Sequence, residues 1–498
     1  MRDDSVWVAT RPRQARDAAY HRLRLRRGME LDVGLVQAKS LISLLSVGEE
    51  LGPILAAVVD YAAANVSSFG EGMVRLTCVA RLAPYLSRDT LYLGLSYAVR
   101  QLAAEANAAP ARRPRDPLAT PAPHAALKGW LRQWVLTRHR DGAERTLLTG
   151  VANRLPREQL ADLLYGAAAE RLYANTGHLF DACNKALELS DLLKGAGPPD
   201  LLALLAPSLA AARGGEEGTP WHHPVEIAAA VRAAEGRLAR LAPGGRDPAP
   251  LPAAAEDALV AQVLGDDPLQ VIAALEETLC DGAAPAAVGA AVTRAAGLRL
   301  ARFATSNEVS DWFNPQHTFI FCNAVQQALL RSDAPDVVRA LLQAAIAVYL
   351  DRYLNVPPAK LPAERGAVAT VSAEHGPEAL LDEMLRLLDN RAEVERAAEL
   401  VSGYLRAPAG DWPAYFARLV DTLAFATLRE DLDFHTLQVL EAAATQLAAR
   451  GNDSGAEQIM VGVVRNLAAH CPTRRAGYQT AMIARRLQHG EELFAAAE

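Results

Sequence analysis

Two histidines open nearly the same phrase. His178 begins HLFDACN and His317 begins HTFIFCN, in a chain of 498 residues with only 11 histidines. In each, Phe follows two residues on and Cys-Asn five and six residues on, and an apolar run comes next. Such a pair reads either as an ancestral repeat kept for packing or as two imidazoles aimed at one point, as a metal requires. Two further segments start alike, Gly72-MVRLTCVARLAPYL and His435-TLQVLEAAATQLAA. All four follow small, polar or turn-forming residues (SSFGE, YANTG, SDWFNPQ, REDLDF). That context places each histidine in the first turn of a helix that continues as packed core.

Neutral imidazoles arriving from separate helices would make a mononuclear site for iron, zinc or copper. Position −3 from each histidine is Asn175, Asn314 or Leu432, so the Glu-x-x-His of ferritin-type di-iron bundles is disfavoured. Lys185 lies seven residues after His178, only about 20° away around a helix. It is one of five lysines and stands directly at the head of the run ALEL. A buried lysine can act as a base or, as a carbamate, ligate metal; the bland reading is a side chain that snorkels to solvent. Asp181 and Asn184 lie on neighbouring strips of the same helix.

The loop before His317 holds Ser306, Asn307, Glu308, Asp311 and Trp312, and Asn323, Gln326 and Gln327 follow along the helix. Polar groups this numerous among Phe319, Ile320 and Phe321 either form a hydrogen-bonded network or line a site. His223, in WHHP, is a weaker ligand candidate, and His222 is expected to be exposed. His470 ends a helix, where imidazole favours the dipole anyway. His21, His124, His139, His375 and His489 read as surface residues. No H-E-x-x-H, G-x-x-x-x-G-K, G-x-S-x-G or post-strand Rossmann pattern occurs, so proteolysis, nucleotide hydrolysis and NAD chemistry have no local support.

Helices must position these groups. Hydrophobic residues make up 51% and charged residues 22%, with Ala, Leu and Arg dominant and period-two alternation absent. An all-α body is expected, of helical hairpins stacked HEAT-like (an α-solenoid or toroid) around a central cavity. Residues 1–498 read as a single body, with surface connectors at 103–123, 212–220, 242–254 and 357–377. A net charge of −7 gives no general attraction to nucleic acid. Arg11–Arg27, with seven arginines and one aspartate, reads as a solvated arm or helix face, with polyanion contact as the lesser reading. Five scattered cysteines, with no signal-peptide core and no membrane-length apolar run, point to reduced, buried thiols in a cytoplasmic protein.

At these residues a resemblance emerges. The run Arg302-FATSNEVSDWFNPQHTFIFCNAVQQALLR…VYLDRYLNVPPAKLP resembles the helical region found ahead of a Rieske iron–sulfur domain in many bacterial proteins. Gly28-MELD, Gly177-HLFDACNKALEL, Phe434-HTLQVLEA and Ala469-HCPTRRAGYQTAMIARRL extend it over most of the chain. More loosely, the pattern is similar to the questin-oxidase-like family, whose activity is ring-opening oxygenation of polyketide anthraquinones.

The resemblance implies a non-haem iron oxygenase acting on a hydrophobic, polycyclic or polyketide-like metabolite. Its iron would be held by His178, His317 and His435, with Lys185 or His223 completing the set. His317 and Lys185 would take part in catalysis, and Asn307, Asn323, Gln327 and Trp312 would orient substrate. Two departures from the pattern stand out. No C-x-H…C-x-x-H is present, so no iron–sulfur cluster is expected in this chain. The family pattern also carries histidines near Arg171 and Ala304, where this chain has none. The expected partners are a small hydrophobic substrate, a separate electron donor and a second copy of the chain, with neither nucleic acid nor membrane. The alternatives are a metal-free isomerase or cyclase using His317 or His178 as acid/base, and a non-catalytic helical scaffold for a protein partner.

Overall fold

The four segments that begin alike pack against one another. They are α1 (Glu71–Leu82), α2 (His178–Leu192), α4 (Phe313–Arg331) and α6 (Phe434–Arg450). Around them run α3 (Pro285–Ala301), α5 (Pro335–Leu350) and α7 (Ser454–His470), among others. The computed structural model describes residues 17–110, 112–238, 249–304, 307–332, 334–370, 376–391, 393–407 and 410–491. Among the described residues there are 22 α-helices and no strand, apart from an isolated bridge between Ala249 and Ala283. None of these helices is long and apolar enough to cross a membrane.

In the centre α1 touches α2, α2 touches α4, α4 touches α6, and α6 returns to α1. Sequence neighbours do pair as hairpins, such as α3 with α4 and α6 with α7. The closure of α6 onto α1 is a different matter, because a one-dimensional stack brings only adjacent repeats into contact. The four central helices run in the same direction. His178 and His435 meet at one end, while Lys185 and Glu441, seven and six residues further on, meet below them.

Their burial explains the composition. α4 is buried on almost every side, from Pro315 through Phe319, Phe321, Asn323 and Val325 to Leu329, as a helix in the middle of a bundle must be. Deleting a fully buried ring such as Phe319 or Phe321 typically costs about 3–5 kcal/mol. At α1, the one member of the ring without histidine, there is no room for a side chain at the equivalent position. A Cβ on Gly72 would stand 2.8 Å from the Leu102 side chain, and the Gly72 amide donates to Glu105 at 2.9 Å.

The connectors are shorter than expected. Helix Arg88–Ala108 runs into the first, and a helix begins at Ala253 inside the third. The second and fourth contain 3-10 turns, Gly215–Glu217 and Pro362–Arg365. Residues 242–248, 371–375 and, with them, His375 lie outside the described residues, as do Ser306 and residues 11–16 of the basic stretch. The rest of that stretch is helical, and Arg22, Arg26 and Arg27 pair with Glu49 and Glu30, as a solvated face would. Four cysteines are buried, but Cys280 is exposed, and all five are free thiols.

Candidate metal centre

His178, His317 and His435 come together at the amino-terminal end of the ring. The Nε2 atoms of His178 and His317 are 3.1 Å apart, those of His317 and His435 3.0 Å, and those of His435 and His178 3.3 Å. Hydrogen bonding among themselves cannot satisfy this triangle. A ring nitrogen either carries a proton or offers a lone pair, so among three at least two are alike and one side always opposes two donors or two acceptors. One cation facing three lone pairs removes the conflict. Nitrogens about 2.0–2.1 Å from a single ion, at ligand angles of about 90–110°, are separated by about 2.8–3.4 Å. The observed triangle fits that requirement. Among the described residues these are the only three His, Cys, Asp or Glu side chains clustered closely enough to hold a metal.

Two of the imidazoles, His178 and His317, are held toward the neutral form. Burial lowers His178 to about 4, helped by the charge of His435. Burial lowers His317 to about 3, with His178 and His435 adding to the effect. Asp433 orients the third imidazole. Its Oδ1 caps α6, accepting from the His435 amide at 2.8 Å and from Thr436 at 3.4 Å, and also accepts from His435 Nδ1 at 3.2 Å. With the proton on Nδ1, the Nε2 lone pair is left to point into the triangle.

The approach of α2 to α4 depends on an unusual turn. Tyr173, Asn175 and Thr176 have φ of 48°, 49° and 53°, and Gly177 has 86°. Left-handed backbone at three non-glycine residues is strained, and such strain concentrates at functional sites. A Cβ on Gly177 would lie 2.5 Å from the Phe321 Cβ. Glycine is thus what lets α2 begin against α4, one turn from His317.

The triangle opens on a cleft of about 370 Å³ lined by His178, His435, Asp181, Glu71 and apolar groups including Phe69, Val74, Leu179 and Phe434. Asp181 and Gln438 stand one turn below His178 and His435. The Gln438 amide donates to Asp181 Oδ2, while Asp181 Oδ1 and Gln438 Oε1 have no partner. Burial raises the Asp181 carboxyl to about 7, against the pull of Lys185 and Gln438.

The remaining candidates are elsewhere. Lys185 is fully buried, with its ammonium between Glu188 at 2.9 Å and Glu441. Burial alone would lower its pKa, but Glu188 and Glu441 outweigh this and hold it well above the ordinary lysine value. It neither snorkels nor offers a free amine, so the expected base or carbamate ligand is corrected to a buried ion pair. His223 is exposed on its loop and is not with the triad. Trp312 is buried against Phe303, with ring centres 4.4 Å apart. Asn307 donates to the Leu354 carbonyl at 3.2 Å. Gln446 donates to Asn323 at 2.8 Å and to Gln326 at 3.2 Å, and Gln327 donates to Gln326 at 2.6 Å. These polar groups serve the bundle, and none of them lines the cleft. His470 donates to the Asn466 carbonyl at 2.7 Å, a structural contact.

Sequence reasoning passed over Asp433 and Gln438. A capping aspartate two residues before a histidine, and a glutamine one turn after it, were the available signals. Compared with family models, curated proteins and solved structures, the chain matches none.

Asp433→Ala is expected to weaken metal binding about 10- to 100-fold and to cost about 1 kcal/mol of stability through the lost cap. Asp433→Ser restores a cap but cannot orient the imidazole. Its melting temperature should recover while its affinity, followed by Co(II) titration in visible absorption, stays low.

A second cleft, of about 530 Å³, adjoins the strained turn and includes Asp351 in its wall. Burial raises the Asp351 carboxyl to about 7. The unfolded chain therefore releases this proton near pH 4 and the folded chain only near pH 7. The native state loses stability across that window and does not regain it above. Asp351→Asn should be indifferent in denaturant melts near pH 4 and more stable than the parent at pH 8, by on the order of 2–4 kcal/mol. Equal stabilities at pH 8 would show that the carboxyl ionises freely.

Proposed function

We propose that the chain is a mononuclear metalloenzyme, an iron-dependent oxidoreductase acting on a hydrophobic, polycyclic molecule in the cleft beside His178 and His435. The observation that carries this reading is the triangle of Nε2 atoms beside a cleft whose wall is in part apolar. Three imidazoles leave other coordination positions free, as a catalytic rather than a structural ion requires. Iron, rather than zinc or copper, is favoured by the resemblance to the questin-oxidase-like family.

When bound, iron would supply the redox chemistry with dioxygen, with electrons taken from the substrate or a separate donor. The chain's own residues do the rest. Asp433 holds His435 in its ligating tautomer. Phe69, Val74, Leu179 and Phe434 exclude water and receive the apolar substrate. Asp181, poised near neutrality with Oδ1 unpaired, holds or accepts a proton at the cleft wall.

One observation favours a metal-free acid–base reading as runner-up, and it is again Asp181. A general base works best with a pKa near the working pH. His178 and His317, at about 4 and about 3, are poor bases at neutrality, whereas Asp181 is well placed. Elemental analysis of the protein purified from iron-supplied cells separates the two. One iron per chain supports the proposal, and the absence of any stoichiometric transition metal overturns it.

A further inference from the structure

The second cleft carries features that the metal reading does not use. Asn175 belongs to the walls of both clefts, and Asn314, one turn before His317 on α4, lines the second. The cleft is therefore a neighbour of the histidine centre. Its volume of about 530 Å³ is in the range of small-molecule pockets.

Its chemistry is mixed in an informative way. Trp221, Tyr353 and Leu354 give it an aromatic and apolar wall. Arg213 stands at the exposed rim, and among the described residues its guanidinium has no carboxylate partner. Nearby Arg138 and Arg171 pair with Glu217, and Arg352 is engaged by the Tyr349 carbonyl and the Tyr353 hydroxyl. The Arg213 backbone is fixed rather than loose. Its amide donates to Asn175 Oδ1 at 3.0 Å, and its carbonyl accepts from the Asn175 amide at 2.9 Å. On the inner wall Asp351 is buried, and its Oδ2 has no hydrogen-bond partner. A buried, unpartnered polar atom costs free energy until something in the cleft bonds to it.

We propose that this cleft binds an aromatic carboxylic acid that also bears a hydroxyl group. The carboxylate pairs with the Arg213 fork, the ring lies against Trp221 and Tyr353, and the hydroxyl meets Asp351. A guanidinium at a rim selects a planar anion that it can grip with two parallel hydrogen bonds. The aromatic wall selects a flat apolar body, and the orphaned Asp351 oxygen selects a polar substituent on it. Such binding needs no metal, so it stands or falls separately from the iron reading.

The probe is 6-hydroxy-2-naphthoate, titrated calorimetrically into the full chain, with 2-naphthol lacking the carboxylate and 2-naphthoate lacking the hydroxyl. The parent should bind the hydroxy acid saturably and more tightly than either analogue. Arg213→Ala, at an exposed position that folding does not depend on, should weaken the hydroxy acid about 10- to 100-fold and leave 2-naphthol unchanged. Asp351→Ala should reduce the hydroxy acid to the affinity of 2-naphthoate. His317→Ala, which removes a triad member, should bind the probe as the parent does. No saturable binding of the hydroxy acid by the parent, or undiminished binding by Arg213→Ala, overturns the proposal whatever the metal content proves to be.

Discussion

His178→Ala, His317→Ala and His435→Ala should each lose most of the bound metal, and the triple variant should be scarcely worse than any one of them. Side chains that hold one ion act as a unit, so their losses do not add. The geometry makes the expectation strict, because the three Nε2 atoms lie within 3.3 Å of one another and no fourth His, Cys, Asp or Glu among the described residues joins them. If the histidines serve only packing, the same substitutions give small, roughly additive stability losses with metal content unchanged. Iron stoichiometry and melting temperature, measured on the same four proteins, decide between the two outcomes.

Lys185→Met should be strongly destabilising, by about 3–5 kcal/mol, with metal content unaffected. The substitution leaves Glu188 and Glu441, each 1% exposed at the side chain, with Arg81 as their remaining ion-pair partner among the described residues. Arg81 lies 3.3 Å from Glu441 and 3.9 Å from Glu188. Adding Glu441→Gln to Lys185→Met should recover much of the loss, because the cost comes from the unpaired carboxylate and not from the missing lysine. Chemical denaturation measures both steps. A Lys185→Met protein with parental stability would overturn the ion-pair description, and one that folds normally but lacks metal would return Lys185 to the centre.

These two outcomes show where sequence reading reached and where it stopped. The helical class followed from Ala, Leu and Arg at helical spacing, and the central helices announced themselves as segments with a common opening. The triad was legible because its histidines occupy matching places in those openings. Lys185 shares a helix face with His178, but seven residues at 1.5 Å rise amount to roughly 10 Å, too far to share an ion. Its partner Glu441 lies 256 residues away, and no local pattern encodes that meeting. The polar residues around His317 posed a question that spacing could not answer. Asn323 and Gln327 are committed to Gln446 and Gln326, and only packing reveals that commitment. Which helices meet, such as α6 and α1, was equally silent, because an open solenoid and a closed toroid share the same local helical pattern.

The triad also bears on the order in which the protein can be made. His317 follows His178 by 139 residues, and His435 follows His317 by 118. A ribosome adding about 5–20 residues per second releases the last histidine some ~13–50 s after the first. Throughout that interval a nascent chain offers one or two imidazoles without the third, in a ring that α6 has not yet closed. An ion caught then would be loosely held, and if it were iron it would be free to react with whatever came near. On the proposed iron reading, the last imidazole arrives on the helix that closes the ring, so a complete ligand set would wait for α6. A chain interrupted before residue 435 would lack the third imidazole of the triangle.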